Sequence, residues 1–281
     1  MSLASFPENT VKTVVVVPCY NEAKRLDVAR FRSFLASTSD IDLLLVDDGS
    51  TDQTGSLLTS LAQNSGGRAT VCRLERNVGK AEAVRQGVQK ALLGSPDFVG
   101  YWDADLATPL ETVVQFRSVF LQHKEVQLVL GSRVPLLGHS IHRRTMRQLL
   151  GRGFATAASL VLRLPVYDTQ CGAKLFRVTP ATTCLFAEPF RSRWIFDVEI
   201  LARLSHTAGW GVQGTRRRLF EYPLDRWDEI AGSKLKPRDF LVAAIELAGI
   251  CWRYTFRRKQ PGTVAIPQVS KNAPSRPRRV A

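Results

Sequence analysis

The sequence has little of several features that define whole classes of protein. Its 281 residues include five cysteines, an odd number, and no two of them have C-x-x-C spacing. This disfavours a disulfide framework and a structural zinc site and is typical of free thiols. No run approaches the roughly 18 consecutive apolar residues of a membrane-spanning helix, and the first residues lack the basic and apolar regions of a secretory signal. We therefore expect a cytoplasmic location.

A nucleotide-cofactor fingerprint is also missing. No G-x-G-x-x-G follows the first predicted strand, which disfavours a dinucleotide-binding oxidoreductase. The composition, 44% hydrophobic and 23% charged, is that of an ordinary soluble globular protein. Intrinsic disorder and collagen-like architecture are excluded for the bulk of the chain.

Positive charge is concentrated in the second half. Residues 1–122 contain 12 basic and 14 acidic residues, a net charge of −2, whereas residues 123–281 contain 27 and 11, a net charge of +16. A surface this basic favours nucleic acid, an anionic membrane or phosphorylated small molecules as partner. Nucleic acid is the weakest of the three, despite the basic run Arg276–Arg279, because the sequence has no aromatic-basic interleaving of RNP type. We expect no nucleic-acid partner.

The first 130 residues alternate short β-branched runs with amphipathic stretches, which predicts βαβ units and a largely parallel sheet. The predicted strands are Thr13–Val17, Ile41–Val46, Thr70–Arg73, Phe98–Trp102 and Leu128–Leu130. The predicted helices are Ala23–Leu35, Gln53–Gln63, Val78–Leu93 and Leu110–Gln122.

Two apolar helices with basic neighbours are predicted later in the chain, at Arg143–Leu164 and Phe240–Trp252. They could complete the core or lie on an anionic bilayer, and the sequence leaves both interpretations open. We expect an N-terminal extension at residues 1–11, a catalytic domain at 12–258 and a disordered basic tail at 259–281, where Pro, Ser and basic residues show no periodicity.

Three polar segments follow predicted strands: Pro18-Cys19-Tyr20-Asn21-Glu22, Asp47-Asp48-Gly49-Ser50 and Asp103-Ala104-Asp105. Ligands of open α/β sheets bind at the carboxyl ends of the strands, so these segments should converge on one site. Alternate carboxylates leaving a strand can face one point, and Mg²⁺ or Mn²⁺ commonly joins such carboxylates to substrate phosphates. We therefore expect a metal-diphosphate site at Asp103 and Asp105. The competing interpretations are a solvated turn for Asp-Ala-Asp and a turn with a helix N-cap for Asp47–Asp52.

Together, the segments VVVVPCYNE, LLVDDGSTDQT, RNVGKAEAVRQG, DADLATP and GSR resemble the family 2 inverting glycosyltransferases. Four further segments, DADLAT, DTQCGAKLF, RWIFDVEIL and WDEIAGSKL, resemble the polyprenyl-phosphate sugar synthases of that family, the dolichyl-phosphate glucosyl branch above all and the mannose synthases next. The resemblance implies an A-type glycosyltransferase fold, which is a Rossmann-like nucleotide-sugar-binding sheet flanked by helices, with C-terminal amphipathic helices.

The resemblance also implies roles for individual residues. The nucleotide sugar would be bound by Pro18, Tyr20, Glu22, Asp47, Asp48, Lys80, Asp103 and Ala104, and the metal by Asp103 and Asp105. The acceptor would be bound by Arg133, Arg144, Arg226, Ser233 and Lys234, with Trp227 to Lys234 as a mobile loop. The catalytic residues would be Asp103, Asp105, Asp197 and Arg133. Ala107 stands where the mannose synthases have Gln, as in the glucosyl branch.

The expected reaction is transfer of glucose from UDP-glucose to a polyprenyl phosphate, with inversion, by an enzyme bound peripherally to the cytoplasmic face of a membrane. The alternatives are another nucleotide sugar, such as GDP-mannose, or a sugar-hydroxyl acceptor, which would require Asp197 as general base. For Asp197 and Glu199, an exposed first helical turn favoured by the helix dipole is the competing interpretation.

Overall fold

A mixed seven-stranded sheet forms the centre of the protein. The computed structural model describes residues 11–142, 145–206, 209–228 and 237–256. In chain order the strands are β1 Thr13–Cys19, β2 Ile41–Asp47, β3 Ala69–Arg73, β4 Phe98–Trp102, β5 Leu128–Ser132, β6 Ser140–His142, β7 Ala173–Arg177, β8 Leu219–Pro223 and β9 Arg226–Asp228. The central sheet has the order β3-β2-β1-β4-β7-β5-β8, and β6 pairs with β9 in a separate two-stranded sheet.

Helices cover both faces of the sheet. They are α1 Val28–Ser37, α2 Thr54–Gln63, α3 Lys80–Leu92, α4 Thr112–Gln122, α5 Thr145–Leu162, α6 Pro180–Ala187, α7 Phe196–His206, α8 Gly211–Arg218 and α9 Pro237–Cys251, the last continued by a π-helical turn at Trp252–Phe256. One hydrophobic cluster packs α3, α6, α7 and α9 against the sheet. A second cluster packs α1, α2 and α4 against the opposite face.

The predicted α/β architecture is confirmed, and the five predicted strands agree with β1 to β5 to within two residues at each end. The first predicted helix is wrong at its start, because α1 begins at Val28 rather than Ala23. The intervening residues form a turn in which Arg25 and Leu26 donate their N–H groups to the Glu22 carbonyl. Asp27 then caps the helix by accepting from the Arg30 N–H at 3.1 Å.

Strand β7 is the departure from a parallel sheet. It lies between β4 and β5 and runs antiparallel to both. The sequence analysis did not predict β7 or β8, because their polar residues break the apolar periodicity. The consequence for the site is direct: the segment that leads into β7, residues 168–172, lies beside the carboxyl ends of β4 and β5.

Helix α9 is apolar on two faces. Ala243, Leu247 and Ile250 are buried in the core. Leu241, Val242, Ile245 and Trp252, which we call the apolar α9 face, are 70%, 43%, 73% and 66% exposed. The helix therefore completes the core and also presents apolar side chains to the surroundings. None of the helices within the described ranges is long and apolar enough to cross a membrane.

Several predicted features lie outside the described residues. They are Arg144, Ser233 and Lys234, residues 1–10 of the predicted extension, and the predicted tail at 259–281. The proposed domain limits stay predictions.

Helix α3 approaches β1 and β2 through Gly87, and this close contact generates a stability prediction. A Cβ at Gly87 would lie 2.4 Å from a Val16 methyl and 2.8 Å from a Val46 methyl, whereas Gly153 in α5 has no such neighbour within 4 Å. Gly87→Ala should therefore lower the free energy of unfolding by about 1–3 kcal/mol through overpacking. Gly153→Ala should raise it by about 0.5–1 kcal/mol through helix propensity. Urea denaturation of both variants measures the contrast, and equal effects would contradict the packing described.

Candidate active site

The loops after β1 and β2 are held together at the carboxyl edge of the sheet. The N–H of Asn21 donates to Ser50 Oγ at 3.1 Å, and the N–H of Thr51 donates to Asn21 Oδ1 at 2.9 Å. The N–H of Glu22 donates to Thr54 Oγ1 at 2.8 Å. Asn21 has φ +50°, a left-handed conformation that asparagine tolerates better than most residues. The two loops therefore form one unit, and it carries the predicted nucleotide-sugar residues Pro18 and Tyr20.

Asp47 and Asp48 point into the protein and organise the loops. Asp47 is fully buried and accepts from the Ser50 N–H at 2.9 Å. Asp48, 2% exposed, accepts from the N–H groups of Val78 at 2.7 Å and Gly79 at 3.0 Å. Burial raises the Asp48 pKa, against the opposing effect of these two hydrogen bonds. The enclosed Asp47 carboxylate supports the turn, and its contact with the nucleotide sugar stays a prediction. Asp48 ties the loop before α3 to β2.

Asp103 and Asp105 lie beside each other at the end of β4, with side chains 38% and 22% exposed. Asp103 requires a glycine at position 172, because a Cβ there would lie 1.8 Å from Asp103 Oδ2. Lys80 Nζ lies 2.5 Å from Asp103 Oδ1, and Arg25 Nη1 lies 3.8 Å from Asp105 Oδ2. The structure thus brings the predicted residues Asp103, Asp105 and Lys80 together.

The second carboxylate of this pair is electrostatically unfavourable when ionised. Burial and the charge of Asp103 raise the Asp105 pKa. For Lys80, desolvation lowers the pKa, but the carboxylates of Asp103, Asp197 and Asp105 outweigh that effect and raise it. Two adjacent, partly exposed carboxylates are a donor set that suits a hard divalent cation. No group of three or more His, Cys, Asp or Glu side chains able to hold a metal occurs in the described residues. Substrate and water oxygens would therefore have to complete the coordination.

Asp197 is buried, 4% exposed, at the start of α7. It accepts a hydrogen bond from the Tyr101 hydroxyl at 2.5 Å and forms an ion pair with the fully buried Lys174 Nζ. The same ammonium donates to the carbonyls of Thr169 and Cys171. Burial and the charge of Asp197 raise the pKa of Tyr101 well above its ordinary value. Asp197 is therefore held in place by one cation and one hydroxyl.

Glu199 is enclosed as well, at 1% exposure. Its carboxylate accepts the N–H groups of Arg191 and Ser192, at 3.0 and 2.8 Å, and pairs with Arg203 at 2.9 Å. The competing interpretation of Asp197 and Glu199 as an exposed first turn is wrong, because α7 packs into the core cluster along its whole length.

Arg133, predicted to bind the acceptor, pairs with Asp168, and the backbone of Asp168 is in turn held by Glu221. Its Nε and Nη2 donate to the Asp168 carboxylate at 2.6 and 2.8 Å. Glu221 in turn accepts the N–H groups of Tyr167 and Asp168, at 2.8 and 2.6 Å. The Arg133 guanidinium also lies 5.3 Å from the Trp227 ring, in cation–π range. Arg133 and the beginning of the predicted acceptor loop are therefore in contact.

Three further predicted residues are Ala104, Glu22 and Arg226. Ala104 is buried, and Glu22 forms a bidentate pair with Arg25 at 2.7 and 2.6 Å. Arg226 is exposed and pairs with Asp228 at 2.6 Å.

Sequence reasoning missed three residues that the site depends on: Arg25, Lys174 and Glu246. Lys174 interrupts an otherwise apolar strand, and Glu246 interrupts an apolar helix, so a lone charge in a buried pattern was the available signal. For Arg25 the sequence offered no such signal, because the turn that positions it lies where a helix was predicted.

Comparisons with known proteins identify the family of the chain. The Glycosyl transferase family 2 profile matches residues 14–183. The dolichyl-phosphate beta-glucosyltransferase of Homo sapiens is 32% identical over 277 residues, covering 89% of this chain and 80% of the human protein. A dolichyl-phosphate beta-glucosyltransferase of Trichomonas vaginalis is 31% identical over 258 residues, covering 87% of this chain and 72% of that protein.

The fold is likewise similar to solved structures. The glucosyl-3-phosphoglycerate synthase of Mycobacterium tuberculosis, crystallised with Mn²⁺, UDP and glucosyl-3-phosphoglycerate, superposes with a TM-score of 0.60 at 19% identity, covering 86% of this chain and 79% of that one. This likeness establishes the A-type glycosyltransferase fold. With the family profile and the relatives that are more than 30% identical, it leads to one conclusion: the chain belongs to glycosyl transferase family 2 and is a glycosyltransferase.

Proposed function

We propose that the protein transfers glucose from UDP-glucose to a polyprenyl phosphate, with inversion at the anomeric carbon. The observation that carries the proposal is the extent of the likeness to the dolichyl-phosphate beta-glucosyltransferases. It covers 89% of the chain in the human comparison and so includes much of the region after residue 183, where the family profile ends. That region contains Asp197, Trp227 and α9.

The environment of Asp197 favours a phosphate acceptor over a sugar hydroxyl. A hydroxyl acceptor needs a general base, and Asp197 is the residue expected to provide it. Its carboxylate is instead paired with the Lys174 ammonium and hydrogen-bonded to Tyr101. Its Oδ1 is thus already occupied by two donors of the chain itself. A phosphate acceptor is already ionised at neutral pH, so no proton has to be removed.

The reaction then needs positioning and charge stabilisation. An acceptor phosphate oxygen forms a bond to the anomeric carbon as the bond from that carbon to the diphosphate oxygen breaks, and the electron pair leaves with UDP. Attack from the face opposite the leaving group inverts the configuration. We assign acceptor positioning to Arg133, whose orientation is set by Asp168 and Trp227. Arg226 and, on sequence grounds, Arg144, Ser233 and Lys234 belong to the same acceptor group.

Asp103 and Asp105 would hold Mg²⁺ or Mn²⁺. The bound cation supplies charge stabilisation to the departing diphosphate. Gly172 leaves room for the Asp103 carboxylate. Lys80 and Arg25 offset the negative charge of Asp103 and Asp105. Pro18, Tyr20 and Glu22 lie at the same edge, where the nucleotide would bind.

Product analysis tests the proposed reaction. Purified protein is incubated with polyprenyl phosphate, Mn²⁺ or Mg²⁺ and one radiolabelled nucleotide sugar at a time, UDP-glucose and GDP-mannose included. We expect organic-soluble label with UDP-glucose, and its β configuration follows from NMR of the product. If only GDP-mannose gives labelled product, the donor is GDP-mannose and not UDP-glucose. If label is found only on a soluble sugar, the acceptor is a sugar hydroxyl and not a polyprenyl phosphate.

The carboxylate pair generates a pH prediction. Because the Asp105 pKa is raised, protons compete with a metal ion for this site, and Mn²⁺ affinity should rise with pH through that pKa. Asp105→Asn should abolish this pH dependence and slow turnover about a thousandfold, the effect of losing on the order of 4 kcal/mol of stabilisation. Electron paramagnetic resonance of free Mn²⁺ measures affinity from mildly acidic to neutral pH. The exposed Glu111→Gln is the control. Unchanged Mn²⁺ binding in Asp105→Asn would remove the metal assignment.

A lipid acceptor requires contact with a membrane, and we propose the anionic cytoplasmic face as the partner of the apolar α9 face. Four apolar side chains of this helix and its continuation are exposed, and Arg253 follows Trp252 directly. The half of the chain that contains them carries the +16 charge. Each basic residue near an anionic leaflet contributes about 1 kcal/mol, and an exposed tryptophan suits the membrane interface.

Liposome sedimentation tests the membrane contact. Ile245→Gln with Trp252→Gln should release the protein from anionic liposomes, because the apolar contribution to binding is lost. High salt should also release the wild type, since the screening length falls from about 8 Å at physiological ionic strength to about 3 Å at 1 M. Leu93→Gln with Leu121→Gln, at 85% and 63% exposure outside α9, is the matched control. Equal binding of both double variants would contradict the assignment of α9.

A further inference from the structure

We infer that Arg193 is a further substrate-binding residue, one that contacts the diphosphate of the nucleotide sugar and stabilises it as it leaves. This inference rests on the proposed function and adds to it a residue that neither the family profile, which ends at residue 183, nor the sequence motifs assign to the donor. The carboxylate of Glu246 in α9 is the positioning group for Arg193.

The first observation is the location of the Arg193 guanidinium. Its Nη2 lies 3.4 Å and its Nε 3.7 Å from the point where Gly79 would carry a Cβ. Gly79 precedes Lys80, the residue whose ammonium pairs with Asp103. The Arg193 guanidinium therefore lies at the N-terminal end of α3, beside the residue that precedes Lys80.

The second observation is that the Arg193 side chain is exposed and uncommitted. Within the described ranges its guanidinium forms no hydrogen bond and no ion pair, whereas the neighbouring cations Arg25, Lys80 and Lys174 each pair with a carboxylate. Its charge acts on Asp48, where burial raises the carboxyl pKa and Arg193 opposes that effect. Asp48 already accepts the N–H groups of Val78 and Gly79. A planar guanidinium with free donors matches phosphate oxygens in bidentate geometry.

The third observation is the way the backbone of this segment is held. Glu246 Oε1 accepts the Arg193 N–H at 3.0 Å, and Glu246 Oε2 accepts the N–H groups of Trp194 and Ile195 at 3.1 Å each. The Ser192 hydroxyl donates to the same Oε2 at 2.7 Å. One carboxylate thus satisfies three consecutive backbone donors directly before α7. Such preorganisation reduces the conformational freedom that Arg193 would lose on binding phosphate.

Calorimetry with UDP and with uridine, each in the presence of Mn²⁺, separates a phosphate contact from a structural role. Arg193→Gln should weaken UDP binding about tenfold or more, the size of one charge-assisted contact, and leave uridine binding unchanged. Arg193→Lys, which keeps the charge but loses the planar fork, should fall between the wild type and Arg193→Gln. Arg191→Gln is the matched control, because it removes an exposed arginine from the same loop.

Glu246→Gln tests the positioning role. It should weaken UDP binding severalfold in wild-type Arg193 and have little further effect in Arg193→Gln, because the two residues act through one contact. Ala248→Gln, an exposed change on the same helix, should leave UDP binding unchanged.

The outcomes are distinct. Equal UDP binding by wild type and Arg193→Gln overturns the inference alone. Equal losses for UDP and uridine also overturn it, because they indicate a general distortion of the loop. If the wild type does not bind UDP, the proposed donor fails, and the inference fails with it.

Discussion

Concentrated negative charge at one edge of the sheet is the constraint around which the site is organised. Carboxylates cannot be brought together in a partly dehydrated cleft unless each is matched by a donor or a cation. The structure provides a partner in each case: backbone N–H groups for Asp47 and Asp48, Lys80 for Asp103, and Arg25, which it shares with Glu22, for Asp105. At Asp105, whose pKa is raised by burial and by the charge of Asp103, an additional cation would be stabilising.

The antiparallel strand β7 makes this arrangement possible. Because it is inserted between β4 and β5, its leading segment supplies Gly172 next to Asp103 and the Lys174 ammonium below Thr169 and Cys171. The same insertion brings Asp168 to Arg133 at the end of β5. Residues 168–172 therefore connect the surroundings of Asp103 with Arg133 through one segment of the chain.

The parts of the fold that follow hydrophobic periodicity were predictable from the sequence. The five strands of the first half and most of the helices between them follow from buried β-branched runs and amphipathic stretches. The carboxylate pair was predictable for the same reason, because polar residues that follow a buried strand must lie at its carboxyl end. Lys174, Glu246 and Arg25 were not, since their partners Asp197, the 192–195 segment and Asp105 are distant in sequence and are brought together only by tertiary packing.

Helix α9 contacts both the hydrophobic core and the segment that precedes α7. Its buried side contributes Ala243, Leu247 and Ile250 to the core and the Glu246 carboxylate to the segment that begins α7. Asp197 lies two residues beyond that segment, bound to Lys174. Loss of the Glu246 carboxylate would remove the acceptor of the Arg193 and Trp194 N–H groups and leave the Ile195 N–H only Ser192 Oγ. The same helix can thus present apolar side chains at the surface and support the site, because Glu246, the charged residue within its apolar sequence, contacts the 192–195 segment.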